Sequence, residues 1–417
     1  MTQPDGWDTV VLNDLLTGTE YGTSAPTIAE GTRPVVGMRN LRDGHISLDG
    51  LGHVDEELQD WSTLELKAGD LLLNRTNSPD LVGRVGIVSE HTNAVFASYL
   101  VRLNADTAVV DPYFLNYFLN GSQAQRVIKS LATRGVSQAN INPTVLRQHC
   151  PVQLPPLSEQ RKIAEILQAW DEAIEHVRRL QHVLEARRNA ISSELIFGGG
   201  QPHGTSWEFV ADDWAIRPIG ELASETGSRN SALRADTVLT CSKHRGFVRS
   251  DEYFGRTVHS ADLSNYKLVG RNEFGFPSNH VEEGSIGLQN VVDTGAVSPI
   301  YTVFKFDDEV IDARFAYLVL KSPRYTYMFR ASTSATVDRR GSLRWPDFSK
   351  LPFPVPPLGT QARIVRIVDD LNEDLAQNVK LETQYREQKR GLMQKLLTGE
   401  IRVTGDDTEN LEAASND

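Results

Sequence analysis

Cysteine is scarce: Cys150 and Cys241 are the only two in 417 residues, and they lie in different segments without the spacing of a disulfide framework or a metal site. Long apolar runs are missing as well. No stretch approaches the roughly 18 to 20 residues of a membrane span, and Met1 to Asp8 is polar and acidic, unlike a secretory leader. A soluble, cytoplasmic protein with no membrane contact is expected. Positive charge is also in deficit. The net charge is −12, with 11 basic against 17 acidic residues in 1–150 and 18 against 19 in 201–350. Phosphate binding is driven largely by lysine and arginine. Any DNA contact must therefore run through local patches, with a partner supplying much of the non-specific attraction.

What the chain has is a repeat. Pro155-Pro156-Leu157-Ser158-Glu159-Gln160-Arg161-Lys162-Ile163 returns 201 positions later (356 − 155) as Pro356-Pro357-Leu358-Gly359-Thr360-Gln361-Ala362-Arg363-Ile364. Beyond it, Ile163, Leu167, Trp170, Ile174, Val177, Leu184, Ile191 and Leu195 follow steps of three and four, or their sums. The same offset gives Ile364, Val368, Leu371, Leu375, Asn378, Tyr385, Leu392 and Leu396. This spacing predicts one apolar seam on a helix of about 40 residues, roughly 60 Å long. Such a helix cannot bury its seam alone, so the obvious partner for one copy is the other. Gln181 and Arg188, matched by Glu382 and Lys389, interrupt the seam with polar groups that limit register slippage. Ser158 is the expected N-cap, with Glu159 at the positive end of the helix dipole. Gly198 and Gly399 are the expected stops.

The segments between are mixed. In 1–150, Val35 to Met38, Leu71 to Leu73, Val85 to Val88 and Val95 to Leu103 read as strands. Asp111-Pro112 opens a helix to about Leu119, and Ser122 to Leu131 forms another. In 201–350 the plan recurs less faithfully: Trp214 and Ile219 echo Trp7 and Leu12, Tyr301 to Lys305 reads as a strand, and Phe315 to Leu320 echoes Phe114 to Leu119. The expected fold is α+β, with two globular domains separated by two long antiparallel helices that form a coiled-coil spacer with pseudo-twofold symmetry. The expected boundaries are 1–152 for the first domain, 153–198 for its helix, 199–353 for the second domain, 354–402 for its helix and 403–417 for a disordered acidic tail.

The Pro-Pro-Leu-Ser-Glu-Gln lead-in, the long helix, the second copy and the two dissimilar heads together resemble the specificity (S) subunit of type I restriction-modification systems, over about Gly6 to Ile401. Residues 69–78 and 81–84 in the first head, and 264–269 and 298–301 in the second, are similar to that family's recognition domains. The resemblance implies a host-defence role in which each head is a target-recognition domain reading one half of a split sequence in double-stranded DNA. The helices then set the spacer and dock two methyltransferase subunits, with restriction subunits joining them. It also implies no cofactor in this chain, with S-adenosylmethionine, ATP and Mg²⁺ held by the partners. One departure, Gly359-Thr360 for Ser158-Glu159, removes the ground for treating both helices as identical docking surfaces.

Catalytic patterns are lacking. Asp111-Pro112-Tyr113-Phe114 is one proline short of the motif of amino-methylating enzymes, and no glycine-rich cofactor loop precedes it. Pro346-Asp347 with Lys350 has no second acid, no Gly-x-x-x-x-Gly-Lys loop occurs, and His176 and His182 fall on different helix faces. The DNA-contact candidates are loops where arginines and amides converge, because arginine can grip guanine and Asn or Gln adenine with two bonds each. In the first head they are Asn74, Arg75, Thr76, Asn77 and Arg84, then Arg134, Ser137, Gln138 and Asn140. In the second they are Ser242, Lys243, His244 and Arg245, then Ser278, Asn279 and His280, then Arg339, Arg340 and Ser342. For Lys243 to Arg245, with Arg249 close by, phosphate contact is expected over base reading. Arg178-Arg179 and Arg187-Arg188 read as solvated or partner-facing. The competing reading is a coiled-coil scaffold with partner-binding heads and no DNA readout.

Overall fold

The computed structural model describes residues 4–55, 60–135, 138–198, 214–334 and 342–403. They fall into two compact units, one made of Met1–Arg178 with Leu381–Asp417 and the other of Arg179–Lys380. The division passes inside both long helices.

In the first unit, Leu71–Asn74 runs inside a six-stranded sheet between Leu100–Ala105 and Val85–Ile87, and all four of its residues are buried. Val95 to Leu103, read from sequence as one strand, is two. Val95–Phe96 pairs in parallel with Arg33–Val36 in a separate three-stranded sheet, and a turn closed by Leu100 N to Ala97 O (2.9 Å) delivers Leu100–Ala105 to the main sheet. Helices α1 (Pro112–Asn120) and α2 (Ser122–Ser130) follow. The Asp111 carboxylate accepts from Phe114 N at 2.9 Å, the expected cap. Asn142-Pro143 starts a third helix, α3 (Pro143–His149), in the same way, with Asn142 accepting from Thr144 and Val145. The core is largely aliphatic, including Leu71, Leu73, Val85, Ile87, Val101 and Leu103. Burial pushes the Cys150 thiol up to about 11, as suits a cysteine that only packs.

The second unit keeps the framework with different filling. Its strand Tyr301–Phe306 lies between Ala223–Glu225 and Phe274–Pro277 in a four-stranded sheet. Its helices are α5 (Ser250–Phe254), α6 (Ala313–Leu320), α7 (Pro323–Ser334) and α8 (Trp345–Phe348). Here the core is aromatic: the Phe304 ring lies 5.3 Å from Phe274, 5.0 Å from Phe348 and 5.5 Å from Trp345.

Each long helix is preceded by a four-residue strand that pairs with the first strand of its own unit, Asp8–Val11 with Pro151–Leu154 and Ala215–Pro218 with Pro352–Val355. Helix α4 is Leu157–Phe197 and α9 is Leu358–Leu397. Helix α4 begins two residues earlier than a cap at Ser158 requires (159 − 157), and α9 begins at the matching position, Leu358. Gln160 N reaches Pro156 O at 3.0 Å and Gln361 N reaches Pro357 O at 3.1 Å, so a proline carbonyl accepts the first intrahelical bond and Ser158 is already helical. Both end on left-handed glycines, Gly198 (φ 62°) and Gly399 (φ 69°).

Within the first unit the two helices run antiparallel. Asp171 meets Lys389 and Arg178 meets Glu382, so a step of seven up α4 is a step of seven down α9. Trp170 packs edge-on against Tyr385 at 5.6 Å. Within the second unit, Ile196 and Phe197 of α4 share a core with Ile364, Val365 and Val368 of α9, and Arg188 reaches Asn372 at 3.3 Å. Three of the polar seam positions, Arg188, Glu382 and Lys389, are thus paired. Arg178 and Arg188, expected in solvent, are drawn in, while Arg179 and Arg187 are exposed. Val403, placed by sequence in the acidic tail, is buried in the first core, and residues 404–417 lie outside the described ones.

Candidate nucleic-acid interface

The repeated Pro-Pro-Leu lead-in exists to place one glutamine. Gln160 is buried; its Oε1 accepts from Asp111 N (2.8 Å), and its Nε2 donates to Val109 O (3.3 Å) and Pro155 O (2.8 Å). Gln361 repeats this with Asp312 N (2.7 Å), Val310 O (2.9 Å) and Pro356 O (2.8 Å). Asp111 caps α1 and Asp312 caps α6, so one amide locks head to rod in each unit. The neighbouring position differs. Glu159, 6% exposed, accepts from Trp7 Nε1 (3.1 Å) and from Arg402 Nε (2.8 Å) and Nη2 (3.0 Å), gripping both ends of the described chain. Thr360 stands there in the second unit.

At the far end of Leu71–Asn74 the first unit brings two candidate loops together. Thr76–Asn77, Ala139–Asn140 and Thr133–Arg134 form a small sheet in which Asn140 lies opposite Thr76. Arg75 Nη2 and Thr76 Oγ1 both donate to Asn140 Oδ1, at 3.4 and 3.3 Å. Arg84, Gln138 and Asn140 are exposed, and Arg75, Thr76 and Asn77 half-buried. Asn74 is buried, its Nδ2 donating to Leu81 O at 3.4 Å, so it shapes the return loop from within. Arg134 is placed by its pairing with Ala139, and Ser137 lies outside the described residues. Two exposed tyrosines flank the cluster: the Arg75 guanidinium lies 5.2 Å over the Tyr21 ring, and Arg75 N donates to Tyr99 O at 3.1 Å. Arg102, by contrast, is consumed internally. Burial opposes its charge, but Glu20 and Asp70 overcome this and hold the guanidinium above its ordinary range.

In the second unit, Leu239–Ser242 and Gly246–Arg249 form a hairpin whose turn exposes Lys243, His244 and Arg245. Ser242 is buried, its Oγ accepting from the amides of His244 and Arg245 at 3.4 Å. Gly246 (φ 67°) could carry no side chain, since a Cβ would lie 2.7 Å from the Tyr317 hydroxyl. Lys321 Nζ donates to Lys243 O (2.6 Å) and Gly284 O (2.9 Å), tying the turn to the next loop, and burial holds its ammonium below the usual lysine range. On that second loop Asn279 and His280 are exposed, while Ser278 is half-buried with its carbonyl accepting from Leu343 N at 2.9 Å, which brings Ser342 alongside. Arg339 and Arg340 lie outside the described residues. Arg249 is held by Glu252 at 3.4 Å, at the end of the hairpin away from the turn.

Residues 4–186 match the family described as type I restriction modification DNA specificity domain. The match to a putative type I restriction enzyme MjaX specificity subunit of Methanocaldococcus jannaschii is 23% identical and spans 96% of this chain and 95% of that one. Residues 4–186 therefore carry a type I restriction-modification DNA specificity domain, and over nearly its whole length the chain is similar to a specificity subunit. The EcoBI specificity subunit of Escherichia coli is 24% identical over 46% of this chain and 41% of its own. The fold agrees with solved ones. A structure described under complex assembly and conformational transition of the type I R-M system superposes with TM-score 0.58 at 16% identity, covering 96% of this chain and all of the other. The S subunit from M. genitalium gives 0.52 at 17%, covering 94% and 96%. No sequence pattern marks Tyr21, Tyr99 or Lys321. Only the glutamines carried a readable signal, their recurrence 201 positions apart (361 − 160).

Proposed function

We propose that the chain is the non-catalytic DNA sequence-recognition subunit of a type I restriction-modification complex, acting in the cytoplasm. Its heads, over 1–152 and 199–353, each read one part of a split target in double-stranded DNA. The helices, over 153–198 and 354–402, dock two methyltransferase subunits and the restriction subunits, which hold S-adenosylmethionine, ATP and Mg²⁺. The observation that carries this reading is that one framework, locked twice by the same glutamine geometry, presents two different polar loop sets, Arg75 to Asn77 with Asn140 and Lys243 to Arg245. In the first set the half-buried and exposed side chains are the readers, with Asn74 shaping their loop; in the second, Lys243 to Arg245 hold phosphate on a turn built by Ser242.

The acidic balance fits a reader whose positive clamp comes from its partners. The isolated chain should bind DNA weakly, and addition of the methyltransferase should raise both affinity and sequence preference. In the assembled complex, Arg75→Ala should relax the half-site read by the first head, and Arg245→Ala should weaken contact at the other. A bidentate base contact is worth about 1–3 kcal/mol of discrimination. Unchanged DNA selection in both variants, with assembly intact, would favour a scaffold role instead.

A further inference from the structure

In the polar cluster at Arg75 the exposed amide of Asn140 has its oxygen already engaged. An amide oxygen has two lone pairs, and Asn140 Oδ1 uses both, accepting from Arg75 Nη2 at 3.4 Å and Thr76 Oγ1 at 3.3 Å. The exposed Asn140 amide therefore offers only its NH₂ outward. Asn77 Oδ1 accepts from Ser78 N at 2.8 Å, and the Thr76 hydroxyl, its one proton given to Asn140, keeps only oxygen lone pairs and cannot make the acceptor-plus-donor pair that adenine requires. Arg75 has donors alone. Its Nη1 makes no hydrogen bond among the described residues. Beneath it lies Tyr21, 51% exposed, with the guanidinium carbon 5.2 Å from the ring centroid. Stacking on a ring face fixes the plane of a guanidinium while leaving its in-plane N–H groups free to point away.

In the major groove adenine presents one acceptor and one donor, so reading it with two bonds needs a protein acceptor; guanine presents two acceptors, N7 and O6. From this we infer that the first head demands a G·C pair through Arg75, that Asn140 does not read adenine, and that Tyr21 is the positioning residue for the Arg75 fork. The inference rests on the proposed DNA-reading role and narrows it to one base pair.

The test uses the full chain assembled with the methyltransferase subunits of its system, acting on a randomised duplex library whose methylated members are sequenced. Arg75→Ala should relax one position, a G·C pair, by about ten- to a hundredfold in discrimination, leaving the other half-site as it was. Tyr21→Phe should keep that preference and Tyr21→Leu should weaken it. 7-Deazaguanine at that position, which lacks the N7 acceptor, should weaken the unaltered protein about tenfold and leave Arg75→Ala unaffected, a measurement that needs no folded variant. If the relaxed position is an A·T pair, or deazaguanine is tolerated, the guanine assignment is overturned while DNA reading stands. If Arg75→Ala relaxes no position and methyl transfer persists, DNA reading by this loop falls, and the assignment with it.

Discussion

The two units solve the same joint with different materials. In both, a buried glutamine about one turn from a proline pair locks the capping aspartate of the head, with distances that agree to within 0.4 Å (3.3 against 2.9 Å at most). Around that shared lock the first unit adds a charged clasp, Glu159 with Trp7 and Arg402, and a polar hub in which Asp171 joins Tyr117, Lys389 and His45. The second has Thr360 and Asn372 at the corresponding places and relies on packed phenylalanines. Geometry that a head and rod must share is kept atom for atom. The means of stabilising it is free to differ.

The largest break in the comparison should come from the aromatic core. Phe304→Ala removes a ring that touches five others and should cost the second unit about 4 kcal/mol, with the first unit unchanged when the two are followed separately by hydrogen exchange. Next come the matched glutamines. Gln160→Ala and Gln361→Ala each take the partner from a half-buried aspartate amide and from two carbonyls and should each cost their own unit about 2 kcal/mol. Unequal losses in urea titrations would show the two joints to be less alike than their distances. The clasp should separate the units. Glu159→Ala should cost about 2 kcal/mol, less than a fully buried pair because Arg402 remains partly in water. Thr360→Glu should gain less than Glu159→Ala loses, since Gln201 stands where the offset would put an equivalent of Arg402 (402 − 201). Thermal midpoints of the two variants give the contrast.

The smallest effect is one of pH. Burial raises the Asp171 carboxyl, but bonds from His45, Lys389 and Tyr117 outweigh it and hold the group below the usual carboxylate range. A depressed folded value means that this stabilisation is complete above the ordinary aspartate pKa, about 3.9, and is lost as the pH falls through the lower folded one. The first unit should therefore lose more of its melting temperature between pH 5 and pH 3 than the same unit carrying Asp171→Asn.

Much of this frame is legible in the sequence, because periodicity and repetition report local geometry directly. The seam from Ile163 to Leu195 gave a helix ending at Gly198, and Asp111-Pro112 gave a capped start. Asn142-Pro143 carries the same signal and was passed over. Ser158 beside Glu159 has the look of a cap, whereas the proline carbonyl before it already serves. The recognition cluster was half readable. Arg75 and Asn140 stand out by residue type, but their meeting depends on pairing across 65 residues (140 − 75), and Tyr21 reaches Arg75 only because the sheet order places its strand there. No local pattern encodes a strand order.

The first unit is assembled from the earliest and the latest parts of the chain, the second from one continuous stretch. On a ribosome, then, the half that begins first must finish last. Glu159 waits for an arginine made some 240 residues later (402 − 159), while Arg179–Lys380 is complete once its own last residue has emerged. Nascent chains halted after Lys380 should accordingly show a protease-resistant second unit beside a first unit that is still open to digestion.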